Sequence, residues 1–258
     1  DIDFYARITK EYDVHIIEQP LASIRIRAGN ANLSAADGNS EKANAFSNEH
    51  IKLRRKHRPM KKGILNGKYM IATPFYEVRG YSPYIISLQR VTYALARHTK
   101  VDFVFEELSG GSYIDHNRNL IAQRLLASDC THLIFIDSDM SFDLPAFTKL
   151  LAADEDVVGA AYPAKNNWEH YAVTYHSNED GTPKVNEQGL IEAQMVPTGF
   201  MKISREVFEK LIEANPNDWY WQNGNRLDNF FGHLTINHVR YGEDISFNIR
   251  WQRAGGKV

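Results

Sequence analysis

The chain has 258 residues, 43% of them hydrophobic, and a formal net charge of −2. This length is enough for one large domain, or for one domain with an appendage, and the nearly neutral charge argues against nucleic acid as a partner. Cys130 is the single cysteine, which excludes an internal disulfide framework and favours a reducing, cytoplasmic location. No hydrophobic run is long enough to span a bilayer.

The first 60 residues differ in pattern from the rest. A short helical stretch is followed by two strand-like stretches, a turn-rich loop and a helix whose end is basic. Pro59 and Gly63 interrupt this pattern and predict a domain boundary between about 59 and 67. We interpret the basic helix as a linker to the next domain.

A seven-residue stretch near the end of the chain echoes its beginning. Residues 244–250 repeat residues 1–7 with Asp, Ile, Phe and Arg at the same offsets. The echo indicates that residues 1–60 are the C-terminal tail of an upstream copy of the same domain type. The second copy, residues 66–258, is then expected to be cut at its C-terminus. Alternatively, the N-terminal strands complete the sheet of the second unit.

From residue 66 onwards, apolar stretches of strand type alternate with helical ones. We predict strands at residues 68–75, 101–105, 133–136 and 156–161. We predict helices that start at Ser82-Pro83, with the Ser82 hydroxyl as cap, and at residues 117–128 and 144–153. This alternation predicts an α/β fold with a mostly parallel central sheet and helices on both faces.

The pattern becomes less regular in the second half. Residues 164–189 are polar and turn-rich, which is typical of a hairpin or a mobile loop. Residues 195–204 are typical of one interrupted strand, and Ser204 is expected to cap a helix at residues 205–214.

Aromatic residues and acids mark the last part of the chain. The pairs Trp219/Trp221 and Phe230/Phe231 lie among polar residues in a predicted loop. There they either stack on sugar rings or bases, or cover an edge of the core. A final helix is predicted from Gly242, with two acids in its first turn, where the helix dipole favours negative charge.

The stretch most indicative of function is Asp137-Ser-Asp139, which follows an apolar run that predicts a strand buried on both faces. Two carboxylates one residue apart at such a place are costly to desolvate unless a cation lies between them. Parallel α/β sheets bind ligands at the carboxyl ends of their strands, and Mg²⁺ or Mn²⁺ prefers oxygen ligands and keeps positions for substrate phosphates. The hypothesis is a divalent-metal site for a phosphorylated substrate. The alternative is a plain turn, in which Asp and Ser are common.

Six motifs occur together in the second unit. They are Ala72-Thr-Pro74, His116-Asn-Arg-Asn119, residues 131–142, residues 157–163, Pro197-Thr-Gly-Phe-Met201 and Gly242-Glu-Asp244. In this order they resemble the motifs of glycosyltransferases of the GT-A fold, most closely family 2-type members of viral or phage type. The resemblance covers about residues 66–258. It implies a hexosyl- or pentosyl-transferase that moves a sugar from a nucleoside-diphosphate sugar to a glycan or another hydroxyl acceptor.

The resemblance also implies a donor site and a metal. The implied donor-binding residues are Thr73, Pro74 and Glu77 near the base, Arg118 at the diphosphate, Asp137, and Gly199. For Arg118 the alternative is an ordinary salt bridge. Mn²⁺ or Mg²⁺ would be bound by Asp137 and Asp139, with His233 and His238 as candidates for a further ligand. For a lone histidine the alternative is a structural role.

The catalytic residues implied by the resemblance are Asp244 and its neighbour Glu243. Asp244 would act as the general base that takes the proton of the acceptor hydroxyl, and the anomeric centre would be inverted. For both acids the alternative is a role at the start of the helix. Two other functions stay open from the sequence, namely a nucleotidyltransferase that acts on sugar phosphates and a non-catalytic glycan-binding domain.

Overall fold

The computed structural model describes residues 66–258 except residues 77–79, 112, 165–166 and 223. Residues Lys62–Val258 form one compact unit. The predicted tail of an upstream domain at residues 1–60, with its basic linker helix, lies outside the described residues and stays a prediction.

Strands and helices alternate through the first half of this unit. In chain order they are β1 Asn66–Phe75, α1 Ser82–His98, β2 Lys100–Ser109, α2 Ile114–Ala127, β3 His132–Ile136, α3 Leu144–Ala152 and β4 Val157–Gly159. The second half contains shorter strands, which are β5 Pro163–Ala164, β6 Asn167–Tyr171, β7 Thr174–Tyr175, β8 Ala193–Met195, β9 Phe200–Ser204, β10 Trp219–Gln222, β11 Asn225–Asp228, β12 Thr235–Ile236 and β13 Val239–Arg240. The remaining helices are α4 Arg205–Ala214 and α5 Glu243–Arg253.

Five strands form the central sheet in the order β2-β1-β3-β9-β4. Strand β1 runs parallel to β2 and β3, whereas β9 is antiparallel to β3 and to β4. All strands of this sheet except β9 therefore point the same way, which confirms a mostly parallel sheet. The carboxyl ends of β1, β3 and β4 consequently lie at one edge.

Helices cover both faces of the sheet. Alternate residues of the inner strands point to opposite sides and therefore pack against different helices. On one side, Ile71 and Ile134 pack with residues of α1 and α3. On the other side, Ala72 and Phe135 pack with residues of α2, α4 and α5. The strand β3 is buried on both faces, as its apolar sequence predicts. Cys130, just before β3, is a buried free thiol that packs in the second of these clusters.

The serine cap predicted for α1 is wrong, and the one predicted for α4 is confirmed in its position but not in its hydrogen bond. Helix α1 has Tyr81 at its N-cap position without a side-chain cap, and Ser82 is already helical. Ser204 does stand at the N-cap of α4, but its hydroxyl donates to Asp156 Oδ1 at 2.8 Å and caps nothing. The Ser204 hydroxyl therefore bonds to a residue distant in sequence, Asp156, and not to the backbone N–H groups at the start of the helix.

Two further expectations for the second half need correction. Residues 195–204 do not form one interrupted strand, because β8 pairs with β7 and β9 lies in the central sheet. The loop expected around Trp219 and Trp221 is the hairpin β10–β11. Phe230 and Phe231 belong to the hydrophobic core, so for this pair the core alternative is confirmed. None of the helices within the described residues combines the length and the apolar character needed to cross a bilayer.

Candidate functional site

The Asp137-Ser-Asp139 segment forms a turn at the carboxyl end of β3. Its backbone is held from two sides, since the Asp137 N–H donates to the Gly199 carbonyl at 2.9 Å and the Tyr81 N–H donates to the Ser138 carbonyl at 3.3 Å. Within the turn, the Met140 N–H donates to the Asp137 carbonyl at 3.0 Å. The turn is thus fixed between the strand β9 and the start of α1, which places both acids at the edge expected for ligands.

A buried arginine connects this turn with the first turn of α5. Arg118 lies on α2 and is only 2% exposed. Its Nη2 donates to Asp137 Oδ1 at 2.9 Å, and its Nε lies 3.7 Å from Glu243 Oε1. The guanidinium also lies over the Phe135 ring, 4.9 Å from the centroid. One buried cation therefore joins carboxylates from two elements that are far apart in the chain.

Arg118 has more donors than the protein satisfies. Its Nε and Nη1 find no hydrogen-bond partner within the described residues. Unpaired donors on a buried charge are costly, so most native structures satisfy them with protein groups, water or a ligand. Both nitrogens are buried, and the Nε lies close enough to Glu243 for an ion pair but too far for a hydrogen bond.

Tyr162 is the part of the site that the sequence did not reveal. It follows β4 at the same sheet edge, and its hydroxyl accepts a hydrogen bond from the Gly199 N–H at 3.2 Å. Burial raises the pKa of the Tyr162 hydroxyl, and the negative charges of Asp137 and Asp244 raise it further. Asp244 therefore lies within electrostatic reach of the same hydroxyl as Asp137. The sequence signals were the position of Tyr162 just after a buried strand and its place in the motif of residues 157–163.

Gly199 occupies a position with no room for a side chain. A Cβ atom there would lie 2.3 Å from the Tyr162 hydroxyl oxygen and 2.8 Å from Asp137 Oδ2. The glycine lets the backbone of the β8–β9 connection approach both groups closely. The structure thus places Gly199 in direct contact with Asp137, and a role in donor binding stays a prediction.

The acids Glu243 and Asp244 occupy the first turn of α5, whose N-cap is Gly242. Asp244 Oδ1 accepts from the Ile245 N–H at 2.7 Å, and both side chains are partly exposed. A negative charge is favoured in a first helical turn, so acidic side chains suit this position next to the helix dipole. The predicted catalytic acids therefore lie beside Arg118 and Tyr162.

The predicted base-binding residues lie at the end of β1. Thr73 and Pro74 are buried, and the Thr73 hydroxyl shares a hydrogen bond of 2.5 Å with the Tyr84 hydroxyl of α1. Burial raises the pKa of Tyr84. Glu77 lies outside the described residues, so its position at a donor site stays a prediction.

The candidate metal ligands are brought together only in part. Asp137 and Asp139 share the turn after β3, and Asp139 is exposed. His238 lies at the exposed tip of the β12–β13 hairpin with a φ of 66°. Among the described residues no group of three or more His, Cys, Asp or Glu side chains is placed to hold a metal ion. Any cation bound here would therefore take the two acids of the turn and complete its shell with oxygens from outside the protein.

Comparison of the chain with protein-family models gives no match, and comparison with curated proteins gives no significant match.

Proposed function

We propose that this chain is a metal-dependent glycosyltransferase of the GT-A type that uses a nucleoside-diphosphate sugar. The observation that carries the proposal is Arg118, buried between Asp137 at the end of β3 and Glu243 at the start of α5. An α/β sheet with these charges at its carboxyl edge is the arrangement in which phosphorylated ligands bind. The resemblance of the ordered motifs supplies the reaction class.

The acids of the turn fit a divalent cation that is shared with the donor. Mg²⁺ typically takes one or two protein carboxylates together with substrate phosphates, and Asp137 and Asp139 supply that number. Arg118 donates a hydrogen bond to Asp137 Oδ1, whereas the other carboxylate oxygen, Oδ2, faces Gly199 and Tyr162. When bound, Mn²⁺ or Mg²⁺ supplies Lewis acidity that neutralises charge on the departing diphosphate. The role of His238 as a further ligand stays a prediction.

Asp244 is the residue proposed to take the proton from the acceptor hydroxyl. Its carboxylate is in the first turn of α5, next to Glu243 and within electrostatic reach of Tyr162. Arg118 fixes the neighbouring Glu243, so the orientation of this helix turn is linked to the turn that bears Asp137. A general base of this kind accelerates a reaction by about 10²–10⁴-fold. Attack from that side would invert the anomeric centre.

The test is a screen of nucleotide sugars with Mn²⁺, read by thermal shift and by released nucleotide. Asp139→Asn should lose metal-dependent release, while Asp244→Asn should still bind the donor and lose transfer. Asp154→Asn is the control for loss of a carboxylate outside the site, because Asp154 is exposed and its side chain accepts a hydrogen bond from Gln188. Full activity of Asp139→Asn would contradict the metal assignment.

Two further assays, one of sugar phosphates with nucleoside triphosphates and one of glycan binding, have outcomes that would contradict the proposal. Turnover of a sugar phosphate with a nucleoside triphosphate, but of no nucleotide sugar, would identify a nucleotidyltransferase. Binding of glycans that depends on neither metal nor nucleotide, without any turnover, would identify a non-catalytic glycan-binding domain.

A further inference from the structure

The hairpin β10–β11 presents an aromatic face to solvent. Trp219 is 37% exposed and Trp221 is 65% exposed, and alternation along the strand puts both on one face. Their rings lie 6.0 Å apart at an interplanar angle of 87°, so they form a corner rather than a flat plate. Two neighbouring exposed tryptophans are unusual on a protein surface without a ligand or partner.

The opposite face of the hairpin is tightly anchored. The Tyr220 hydroxyl is bonded to His116 Nδ1 at 2.9 Å and accepts from Asn119 Nδ2 at 3.2 Å, and Leu227 is buried. The two partners of Tyr220, His116 and Asn119, lie on α2, two residues before and one residue after Arg118. The tryptophans are therefore held at fixed positions on an element that adjoins the candidate active site, and little flexibility would be lost when they bind a ligand.

The polar groups on the aromatic face form a neutral pair. Arg226 lies opposite Trp221 in the hairpin, its guanidinium carbon is 4.9 Å from the Trp219 ring centroid, and its Nη2 contacts Asp228 Oδ1 at 3.3 Å. Because Asp228 balances the arginine, this face lacks the positive groove that single-stranded nucleic acids require. One face of Trp219 is taken by Arg226, so Trp221 offers the more open ring.

A neutral sugar chain matches this surface. A pyranose ring has an apolar face of C–H groups and a rim of hydroxyls, which suits an open indole ring next to a charged pair able to donate and accept hydrogen bonds. We propose that Trp221, with Trp219 and Arg226, forms the binding surface for a neutral oligosaccharide, which is the acceptor in the proposed reaction. The assignment of this oligosaccharide as the acceptor rests on the proposed function.

The test measures binding of neutral tetrasaccharides of glucose, mannose, galactose and N-acetylglucosamine by calorimetry. At least one of them should bind the parent chain, and Trp221→Ala should raise its Kd about fivefold or more, the lower bound for a stacking contact with one aromatic ring. Trp221→Phe keeps a ring and should retain part of the affinity. Tyr93→Ala is the matched control, because Tyr93 is also exposed and also carries an arginine, Arg97, over its ring.

Three results would overturn the proposal. They are no binding of any tetrasaccharide, equal affinity of Trp221→Ala and the parent chain, and binding of a single-stranded oligonucleotide that depends on Trp221 in place of sugar binding. A parallel thermal-shift measurement with nucleotide sugars and Mn²⁺ separates this proposal from the proposed function. Nucleotide-sugar binding without tetrasaccharide binding would contradict the acceptor surface alone. Trp221-dependent tetrasaccharide binding without nucleotide-sugar binding would support the surface and contradict the proposed transferase activity.

Discussion

At the scale of single residues, Arg118 is the charge on which the candidate site depends. Removing one partner of a buried ion pair typically costs about 3–5 kcal/mol, because the other charge stays buried and unpaired. Arg118 lies between two such partners, Asp137 and Glu243. Its planar guanidinium reaches both at once, which a lysine ammonium cannot reproduce.

We therefore expect Arg118→Lys to lower the free energy of unfolding by about 1–3 kcal/mol and to reduce nucleotide release by at least about tenfold. Urea unfolding gives the first quantity and a nucleotide-release assay gives the second. Arg205→Lys, on α4, is a control for the loss of a guanidinium that bonds only to carbonyls and Glu209. Unchanged stability and release in Arg118→Lys would show that the guanidinium geometry is not required.

Gly199 leads to a prediction of steric origin. In Gly199→Ala the new methyl group would collide with the Tyr162 hydroxyl and with Asp137 Oδ2, and overpacking of this kind costs about 1–3 kcal/mol. Tyr162→Phe removes the hydroxyl, so the double variant should recover part of the stability that Gly199→Ala loses. A thermodynamic cycle of the four proteins measures this coupling. Strictly additive losses would mean that Tyr162 is not the group displaced.

Some of these residue roles followed from the sequence and some did not. The sequence predicts Asp137 at a sheet edge because it directly follows an apolar run, and this run is long enough for a strand but too short for a helix. The contact between Arg118 and Glu243 could not be foreseen, because nothing in a single sequence fixes which helix turns face each other. Tyr162 was missed for the same reason, since its proximity to Gly199 depends on the path of an irregular segment between them.

At the scale of elements, the periodic patterns predicted the strands β1 to β3 and the helices between them. The direction of β9 was not predictable, because a buried strand has the same apolar composition whether it runs parallel or antiparallel. The sequence predicts a loop where the hairpin β10–β11 lies, because the four-residue strands of this hairpin are rich in polar and aromatic residues. Short strands of this kind carry too few alternations to be distinguished from loops.

The start of β3 carries a pH-sensitive group. His132 stacks on Tyr69 of β1 with 5.0 Å between ring centroids. Burial, together with the positive charge of Lys202 on β9, lowers the pKa of His132 to about 4, while Asp156 opposes the shift. The folded protein thus binds fewer protons than the unfolded chain between the folded pKa and the ordinary value of 6.5. Stability is therefore lost as the pH falls from about 6.5 towards 4.

We expect His132→Gln to reduce this acid-induced loss of the free energy of unfolding by up to about 3 kcal/mol. Urea unfolding at neutral pH and at a series of lower pH values measures the difference. His238→Asn is the control, because His238 is exposed and asparagine tolerates its positive φ. An identical pH dependence of His132→Gln and the parent chain would mean that His132 stays solvated in the folded protein.

At the scale of the whole molecule, the layered arrangement of sheet and helices followed from the sequence with few errors. Apolar patterns of strand type alternate with patterns of helix type, and this alternation predicts helices on both faces of the sheet. The reason is that two parallel strands need a crossover connection, and the crossover helix covers the sheet. The position of α5 depends on the path of the irregular second half of the chain, which the sequence does not predict. The structure shows that Arg118 connects the first turn of α5 with the end of β3.

Ligand binding at this edge should stabilise the described unit as a whole. A ligand that binds only the folded state at a hundred times its Kd adds about 2.7 kcal/mol. For a domain of this size, each kcal/mol raises the melting temperature by about 2–4 °C. A matching nucleotide sugar with Mn²⁺ should therefore raise the melting temperature by several degrees, and a chelator should reverse the shift. A shift that persists after chelation would show that the donor binds without a metal.

The span of the Arg118 contacts has a consequence for biosynthesis. Arg118 and Asp137 are translated before Glu243 and can pair as soon as α2 and β3 pack together. Glu243 is translated much later, after the β-hairpins, and closing so long a loop is entropically costly and slow. Until α5 docks, we therefore expect Asp137 alone of these two acids to pair with Arg118. Assembly of the charged edge is thus a late event, and substitutions that delay the docking of α5 should prolong the lifetime of an aggregation-prone intermediate.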